Sequence, residues 1–243
     1  MKVVILAGGR GLRYCGSIPK PLAPIGGFPI IYHVMKIYAA QGYKDFVILT
    51  GYKAQLIEKR VRRMIMTNFW NVEFVYSGGD TETGGRILYA KDYVGDNFFL
   101  TYADGLGDVD LQKLVETHVL SRRIATVTAV NPVFQYGVFK LGSETVGRGK
   151  IKKRIFYARD FVEKPVMKNV WINAGFMAFS KRIFKYIKSD GDRLEVEVFG
   201  RLVKRNQIAV YKHNGFWMSM DTYKDNLKLN DLWNKGEAGW KIW

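Results

Sequence analysis

The first half of the chain alternates short apolar runs with longer segments in which apolar residues recur every three or four positions. Residues 3–6 are apolar throughout and are followed by glycines, which predicts a buried strand. Residues 29–40 start with a proline and carry apolar positions at helical spacing, which predicts a helix. The same reasoning predicts strands at residues 46–49, 72–76, 98–102 and 125–130, and helices at residues 54–66, 85–93 and 111–120.

The second half of the chain changes character after residue 130. Short β-prone pieces and glycines fill residues 137–157. Further strands are predicted at residues 161–163, 172–179 and 208–212, and helices at residues 181–187, 194–204 and 222–234. Strands that alternate with helices favour a mainly parallel sheet covered on both faces. Since no repeat, linker or low-complexity segment interrupts the pattern, we expect one domain over residues 1–243.

Composition places the chain among folded proteins that need no covalent cross-links. It has 243 residues, 48% of them hydrophobic, which is enough for a sizeable core. The single cysteine, Cys15, cannot form an internal disulfide and fits a reducing compartment. The apolar start is broken by glycines, and no run approaches the roughly 18 apolar residues of a membrane span. We therefore expect a soluble, cytoplasmic protein.

The net charge of +16 is the least ordinary bulk property. A charge of this size suits a nucleic-acid binder, a protein that contacts anionic membranes, or an enzyme with phosphorylated substrates. Basic residues are spread along the chain, and clusters of this kind are most often solvated faces, so we expect no nucleic-acid and no membrane partner. The two densest clusters are Lys150, Lys152, Lys153 and Arg154, and Lys59, Arg60, Arg62 and Arg63.

Two motifs near the N-terminus suit phosphate binding. The turn after the first strand contains Gly8, Gly9 and Gly11, and glycines let backbone N–H groups approach phosphate oxygens. The turn matches neither the dinucleotide fingerprint nor the P-loop, so a plain glycine turn remains an alternative. Lys20 lies between two prolines, which are expected to hold it rigidly in an extended segment. Its alternative interpretation is an exposed lysine in a proline turn.

These motifs, with others in order along the chain, resemble the signature of the sugar nucleotidyltransferases. The motifs are Gly8-Gly9-x-Gly11-x-Arg13, Pro19-Lys20-Pro21, Gly26-Gly27-x-Pro29-Ile30, Tyr102-Ala103-Asp104-Gly105, Glu163-Lys164-Pro165 and Trp171-Ile172-Asn173-Ala174-Gly175-Phe176. Three more resemble the glucose-1-phosphate cytidylyltransferase branch of that family. They are Thr83-Gly84-Gly85-Arg86, Gly215-Phe216-Trp217-x-x-Met220-Asp221-Thr222 and Trp240-Lys241-x-Trp243.

The chain also departs from the family pattern near the expected triphosphate. Leu12 stands where the family usually has a threonine, which removes a hydroxyl contact to phosphate. The loop between Arg13 and Pro19 is several residues shorter, and the segment before Trp70 lacks a piece found in that branch. These departures bear on nucleotide choice and on catalytic rate.

The resemblance implies a Rossmann-like three-layer α/β/α fold with a mixed, mostly parallel sheet and a small β-rich sugar-binding part. It implies a nucleotide-binding half over about residues 1–130 and a sugar-binding half with C-terminal helices over about residues 131–243. The implied reaction is Mg²⁺-dependent transfer of a nucleotidyl group from an NTP, expected to be CTP, to a sugar 1-phosphate, expected to be glucose 1-phosphate. The products are an NDP-sugar and pyrophosphate.

The resemblance also implies a role for individual residues. Catalysis is assigned to Arg13, Lys20 and Asp104, and Mg²⁺ binding to Asp104 and Asp221. Nucleotide binding is assigned to Leu6, Ala7, Gly8, Gly9, Gly11, Arg13, Lys20, Thr83, Gly84, Arg86 and Asp104. Sugar-phosphate binding is assigned to Tyr102, Gly137, Glu163, Lys164, Asn173, Gly175 and Trp217. Without the resemblance, the position of Asp221 before a predicted helix favours an N-cap; beside Gly215-Phe216-Trp217 the resemblance favours the metal.

Other functions remain open at this point. The same reaction with another nucleotide or sugar is one, and a nucleotide-sugar-binding relative with weak or no turnover is another. A nucleic-acid binder is suggested by charge alone and predicts steeply salt-dependent retention of nucleic acid. A homo-oligomer is expected from the family resemblance.

Overall fold

A computed structural model of the chain describes residues 1–11, 18–134, 136–146 and 152–243, with nothing stated for the side chain of Lys153. The predictions made for Leu12, Arg13 and Cys15 therefore lie outside the described residues.

The described residues form thirteen strands and six α-helices, joined by short 3-10 and π turns. The strands are β1 (Val3–Ala7), β2 (Pro24–Ile25), β3 (Phe28–Pro29), β4 (Asp45–Thr50), β5 (Asn71–Tyr76), β6 (Asn97–Tyr102), β7 (Gly105–Gly107), β8 (Ala125–Val130), β9 (Val138–Val146), β10 (Lys153–Val162), β11 (Ile172–Ser180), β12 (Ile208–Lys212) and β13 (Trp217–Ser219). The α-helices are α1 (Ile30–Ala40), α2 (Ala54–Ile65), α3 (Thr83–Ile87), α4 (Leu111–Ser121), α5 (Phe199–Val203) and α6 (Tyr223–Asn234).

Seven strands form one sheet in the order β12-β8-β11-β6-β1-β4-β5. Strand β1 is parallel to both β4 and β6, β4 is parallel to β5, and β12 is parallel to β8. Strand β11 is antiparallel to β6. The sheet is thus mixed and mostly parallel, which confirms the predicted fold class.

Alternate residues of the central strands face two separate hydrophobic cores. Val3 and Ile5 lie in one core, which includes residues of α1, α2 and α6. Val4 and Leu6 lie in the other, which includes residues of α3 and α5. Because successive strand residues point to opposite faces, a fully apolar β1 has both faces buried. Helices therefore cover both faces of the sheet, as the apolar runs predict.

The structure corrects several predicted helices. The helix expected at 85–93 begins earlier and is short, since α3 ends at Ile87 and a 3-10 turn, Leu88–Ala90, follows. The segment at 181–187 is a 3-10 helix, Lys181–Tyr186, rather than an α-helix. The segment at 194–204 is a π turn, Leu194–Val198, that continues into α5. Helical spacing alone does not distinguish these geometries, because their periods differ by less than one residue per turn over so short a length.

Contacts divide the chain into two compact units. Unit 1 comprises Met1–Ala129 and Asn173–Trp243, and unit 2 comprises Val130–Ile172. Unit 2 is built on the antiparallel hairpin of β9 and β10, which has an irregularity in register between Ala158 and Asp160. Among the described residues, the helices are all too short or too polar to cross a membrane.

Candidate active site

A lysine and two aspartates from three distant parts of unit 1 meet at the carboxyl edge of the sheet. The Nζ atom of Lys20 lies 2.6 Å from Oδ2 of Asp104 and 3.1 Å from Oδ1 of Asp221. Lys20 and Asp221 are 201 positions apart in the sequence, so the fold brings them together. The Lys20 side chain is 12% exposed and that of Asp104 28%, so both charges are partly withdrawn from water. The structure thus unites three residues predicted for catalysis or metal binding.

Lys20 begins a single 3-10 turn, Lys20–Leu22. The Leu22 N–H donates to the carbonyl oxygen of Pro19 at 2.8 Å, and this hydrogen bond closes the turn that contains Lys20. The prediction of an extended segment is therefore wrong beyond Pro19, whose ψ of 138° is extended. Pro21 fits the first turn of such a helix because the N–H it lacks has no acceptor there. The lysine is held by a turn between prolines.

The short antiparallel pair of β7 and β13 aligns the two aspartates. Gly105 of β7, the residue after Asp104, pairs with Ser219 of β13, which lies two residues before Asp221. The Met220 N–H donates to the carbonyl oxygen of Asp104 at 2.9 Å, so the two segments are bonded backbone to backbone at this point. The Ser219 hydroxyl donates to Oδ2 of Asp221 at 3.1 Å and orients that carboxylate.

The structure decides between the two interpretations of Asp221. The N-cap of α6 is Thr222, whose side chain accepts from the N–H of Asp225, while the Asp225 carboxylate accepts from the N–H of Thr222 at 2.8 Å. This is a capping box, and it satisfies the helix N-terminus without Asp221. The N-cap interpretation of Asp221 is therefore wrong, and its carboxylate is directed to Lys20.

Burial dominates the electrostatics of Asp104. Loss of hydration raises the pKa of the Asp104 carboxyl, and the nearby Asp221 charge acts in the same direction. The Lys20 ammonium opposes this by its charge and its hydrogen bond. A further positive charge near Asp104 would consequently stabilise the ionised form of its carboxyl group.

The glycine turn after β1 lies at the same sheet edge, since β1 and β6 are parallel with Leu6 opposite Tyr102. The carbonyl oxygen of Gly8 accepts from the N–H of Tyr52 at 3.0 Å. A Cβ atom on Gly8 would overlap the guanidinium of Arg86, so glycine is required there by close packing. The other residues predicted in this segment lie in β1 or directly after it: Leu6, Ala7, Gly9 and Gly11.

Arg86 has contacts different from those expected of a phosphate ligand. Its side chain is buried, and its guanidinium donates to the carbonyl oxygens of Thr50, Gly78 and Thr81 and to the hydroxyl of Ser77. These four bonds fasten the loop after β5 to the end of β4. Arg86 therefore stabilises the backbone of the predicted nucleotide site and does not point its charge into it.

Glu195, a residue that the sequence motifs did not include, joins the start of α3 to the end of β6. The Thr83 hydroxyl accepts from the Leu194 N–H at 2.9 Å and lies 3.4 Å from Oε2 of Glu195. The Tyr102 hydroxyl donates to Oε1 of the same glutamate. A Cβ atom on Gly84 would lie 2.6 Å from the carbonyl oxygen of Asp192, so α3 is packed closely against this segment.

Predicted sugar-site residues of β11 lie beside Tyr102 because β11 runs antiparallel to β6. Gly175 has a φ of +80°, and its N–H donates to Oδ1 of Asn173 at 2.8 Å. A Cβ atom on Gly175 would lie 2.8 Å from the Tyr102 ring, so the ring covers this glycine. The Trp217 indole N–H donates to the carbonyl oxygen of Ala174 at 2.7 Å. Tyr102, Asn173, Gly175 and Trp217 therefore share one neighbourhood.

Three other predicted sugar-phosphate residues belong to unit 2. Lys164 follows β10 with a φ of +48°, and its Nζ lies 3.4 Å from Oε1 of Glu163. Both side chains are more than half exposed. A Cβ atom on Gly137 would meet the Phe161 ring and Oε2 of Glu163. Gly137, Glu163 and Lys164 thus lie together within unit 2.

Asp104 and Asp221 suit a magnesium ion by their chemistry. Mg²⁺ prefers hard oxygen ligands and is usually held by one or two carboxylates, with waters and substrate phosphates completing its shell. Within the described residues, no group of three or more histidine, cysteine or acidic side chains could hold a metal. Two convergent carboxylates thus fit an ion that shares its coordination with a phosphorylated substrate.

A mostly parallel sheet with a glycine turn, a lysine and two aspartates at its carboxyl edge defines an α/β protein built to bind a nucleotide. The model of the nucleotidyl transferase family matches residues 2–235, and the chain belongs to that family. This confirms the resemblance identified from the ordered motifs.

Two relatives match over 100% of this chain and 100% of their own. The probable glucose-1-phosphate cytidylyltransferase of Bacillus subtilis is 39% identical over 267 aligned positions, and the glucose-1-phosphate cytidylyltransferase of Salmonella typhimurium is 33% identical over 268. Both alignments are longer than the 243 residues of this chain, so both relatives contain residues that it lacks.

Solved structures agree on the fold. HddC of Yersinia pseudotuberculosis is 22% identical, with a TM-score of 0.70 over 96% of this chain and 99% of its own. A UDP-glucose pyrophosphorylase complexed with UDP-glucose is 19% identical, with a TM-score of 0.69 over 97% and 98%. At these identities the likeness establishes the architecture alone.

Proposed function

We propose that this nucleotidyltransferase joins CTP to glucose 1-phosphate and releases pyrophosphate, giving CDP-glucose. The observation that carries the proposal is the Lys20 ammonium held between the carboxylates of Asp104 and Asp221. The names of the two full-length relatives support the choice of cytidine and glucose.

In the proposed reaction an oxygen of the sugar phosphate attacks the α-phosphorus of the nucleotide. The bond from that phosphorus to the oxygen bridging to the β-phosphate breaks, and its electron pair leaves on pyrophosphate. No proton must be moved by a side chain, so the protein acts by positioning and by neutralising charge.

Lys20 is proposed to neutralise charge on the triphosphate and on the leaving pyrophosphate. Its turn between prolines and its low exposure keep the ammonium in place, which reduces the reorganisation needed when charge develops. Asp104 and Asp221 would hold Mg²⁺, which supplies Lewis-acid stabilisation of phosphate oxygens when bound. Arg13 is proposed to assist Lys20.

Roles in sugar-phosphate binding are proposed for residues of each unit taken by itself, as the family resemblance implies. Asn173 and Tyr102 of unit 1 offer a side-chain amide and a hydroxyl suited to sugar hydroxyls. Glu163 and Lys164 of unit 2 offer a hydroxyl acceptor and a phosphate-binding ammonium. The predicted homo-oligomer, the cytoplasmic location and the division into nucleotide-binding and sugar-binding halves stay predictions, and sedimentation velocity would test the first.

The test is pyrophosphate release with Mg²⁺ across five nucleoside triphosphates and several sugar 1-phosphates. Release confined to CTP with glucose 1-phosphate supports both the reaction and the substrates. Release with another pair retains the mechanism and overturns the substrate choice. No release from folded protein with any pair favours a binding protein without turnover.

Matched lysine variants distinguish a site effect from a general one. Lys20→Met removes the ammonium from the site, whereas Lys91→Met removes an exposed one after the Leu88–Ala90 turn. We expect turnover to fall by about a hundredfold or more in the first variant and to be unchanged in the second. Equal rates in the two variants would contradict the role given to Lys20.

A further inference from the structure

Two glutamates lie two residues apart at the start of the π turn, and they have different partners. Glu197 accepts from Arg193, with Nη2 at 2.8 Å from Oε1 and the backbone N–H at 2.7 Å from Oε2. These bonds lower the pKa of Glu197 to about 2. Glu197 is thus committed to a local ion pair with the only arginine of this turn.

Glu195 instead has two neutral hydroxyl partners from other elements. The Tyr102 hydroxyl at the end of β6 donates to one carboxylate oxygen, and the Thr83 hydroxyl at the start of α3 lies 3.4 Å from the other. Among the described residues, no lysine, arginine or histidine nitrogen lies within 4.0 Å of its carboxylate. The protein atoms packed around it raise the pKa of Glu195, although the side chain keeps contact with solvent.

Glu195 is an exposed residue, yet its carboxylate turns to two hydroxyls of other elements. A π turn inside a helix is also an uncommon geometry that recurs at functional sites. An ion pair with Arg193 does not explain the position of Glu195, because Arg193 is already bound to Glu197. The contacts that can explain it are those with the hydroxyls of Tyr102 and Thr83.

Each hydroxyl belongs to a different half of the proposed active site. The Tyr102 ring covers Gly175 of β11, and the Gly175 N–H donates to the side chain of Asn173. The Tyr102 ring is therefore part of the group of residues predicted to bind the sugar. Thr83 begins the Thr83–Ile87 helix, which also carries Arg86 under the predicted nucleotide loop. One carboxylate therefore joins the sugar side to the nucleotide side.

We propose that Glu195 is a positioning residue that sets the Tyr102 ring and the start of α3 relative to each other, so that the sugar phosphate and the nucleotide are aligned. The inference rests on the proposed function. Glu195 acts through Tyr102 and Thr83.

The experiment compares steady-state kinetics of pyrophosphate release for Glu195→Ala, Glu195→Gln and Tyr102→Phe, each with sugar 1-phosphate varied at saturating nucleotide. We expect Glu195→Ala and Tyr102→Phe to raise KM for the sugar phosphate by about tenfold, with a smaller change in kcat. Glu195→Gln keeps a neutral acceptor for the tyrosine, so it should recover part of the loss. The double variant Glu195→Ala/Tyr102→Phe should be little worse than either single variant, because both remove the same contact.

Glu197→Gln is the matched control, because it breaks an ion pair in the same turn without touching either hydroxyl. Its KM should stay within about twofold of the parent value. An unchanged KM in Glu195→Ala, or effects of Glu195→Ala and Tyr102→Phe that multiply in the double variant, would overturn the inference. So would an equal effect of Glu197→Gln. Urea midpoints of all variants exclude loss of fold as the cause.

A parent protein without turnover would count against the proposed function and leave the positioning role testable. In that case calorimetric titration with glucose 1-phosphate in the presence of CTP measures the affinity for the sugar phosphate, which depends on the same contacts. Weaker sugar-phosphate binding by Glu195→Ala than by Glu197→Gln would support the inference, and equal binding by the two would overturn it.

Discussion

The carboxyl edge of the sheet in unit 1 and the hairpin of unit 2 hold their predicted site residues in different ways. Lys20 and Asp104 are 12% and 28% exposed and lie within 2.6 Å of each other among packed strands. Lys164 and Glu163 are 57% and 58% exposed and form a single longer contact of 3.4 Å. The first pair is fixed by its surroundings before any substrate arrives, and the second is free to adjust.

The difference indicates which chemistry each region suits. Charges that must be in place as a bond breaks are most effective on a rigid frame, because they need no reorganisation. A residue that captures a phosphate can be mobile, because binding itself orders it. We therefore expect variants of unit 1 to affect the chemical step and stability, and variants of unit 2 to affect substrate affinity.

The largest expected effect is that of Asp104→Asn on turnover. The amide keeps the shape of the side chain and removes its charge, so kcat for pyrophosphate release should fall by about a thousandfold. Asp92→Asn, an exposed change in the same unit, serves as the control and should leave kcat unchanged. A larger loss in any Lys164 variant than in Asp104→Asn would reverse the comparison.

Glycine substitutions sharpen the comparison of packing. Gly8→Ala should lower the free energy of unfolding by about 2 to 3 kcal/mol, because its Cβ would overlap an Arg86 side chain held by four hydrogen bonds. Gly137→Ala meets the Phe161 ring, which is 51% exposed and can rotate away, so its cost should stay below about 0.5 kcal/mol. Urea unfolding measures both, and similar losses would show that unit 2 is as rigid as unit 1.

The pH dependence of stability in two ion pairs, one in each unit, tests the difference in packing between the units. Hydrogen bonds from Arg201 hold the pKa of Asp192 in unit 1 below its ordinary value of 3.8. Asp192→Asn should therefore cost about 2 kcal/mol at neutral pH. Because the folded-state pKa is the lower one, the stabilisation is complete above pH 3.8 and is lost as the pH falls through the folded-state value.

The matching pair in unit 2 joins Asp160 to Lys140 at 2.9 Å on the hairpin surface. Asp160→Asn should leave the unfolding midpoint unchanged at every pH, because solvent screens an exposed pair. Thermal unfolding from neutral to acidic pH compares the two variants. A pH-dependent loss in Asp160→Asn equal to that in Asp192→Asn would contradict the distinction between the units.

The smallest expected effect is that of Lys164→Ala on substrate affinity. Loss of an exposed, adjustable ammonium should raise KM for the sugar phosphate by about tenfold and change kcat little. Lys140→Ala lies in the same hairpin and should have no effect on KM. A loss of kcat at unchanged KM would place Lys164 with the rigid group at the sheet edge.

Much of the fold could be predicted because β1 and β4 are apolar on both faces and α1 has a continuous apolar stripe. The short strands β7 and β13 could not, since three residues are too few to show a period. These strands nonetheless align Asp104 with Asp221. Their pairing depends on contacts between distant segments, and no local pattern encodes it.

The candidate site was predicted unevenly for the same reason. Lys20 and Asp104 could be found because each belongs to a short ordered motif. Glu195 was missed because its two partners, Tyr102 and Thr83, lie 93 and 112 positions away from it in the sequence. Arg86 was noticed as a charge beside glycines, but its use in holding carbonyl oxygens depends on the turn after β5, which only the folded chain reveals.

The bond between Met220 and Asp104 also has a consequence for how the protein is made. Lys20 and Asp221 are 201 positions apart, and loops of that length close late, after local elements have formed. A chain emerging from the ribosome can fold much of β1, α1 and β4 before β13 has been synthesised. The group of charges is therefore completed only after Asp221 has left the ribosome. A nascent chain that stops before Asp221 has Lys20 and Asp104 but lacks the third member of the group.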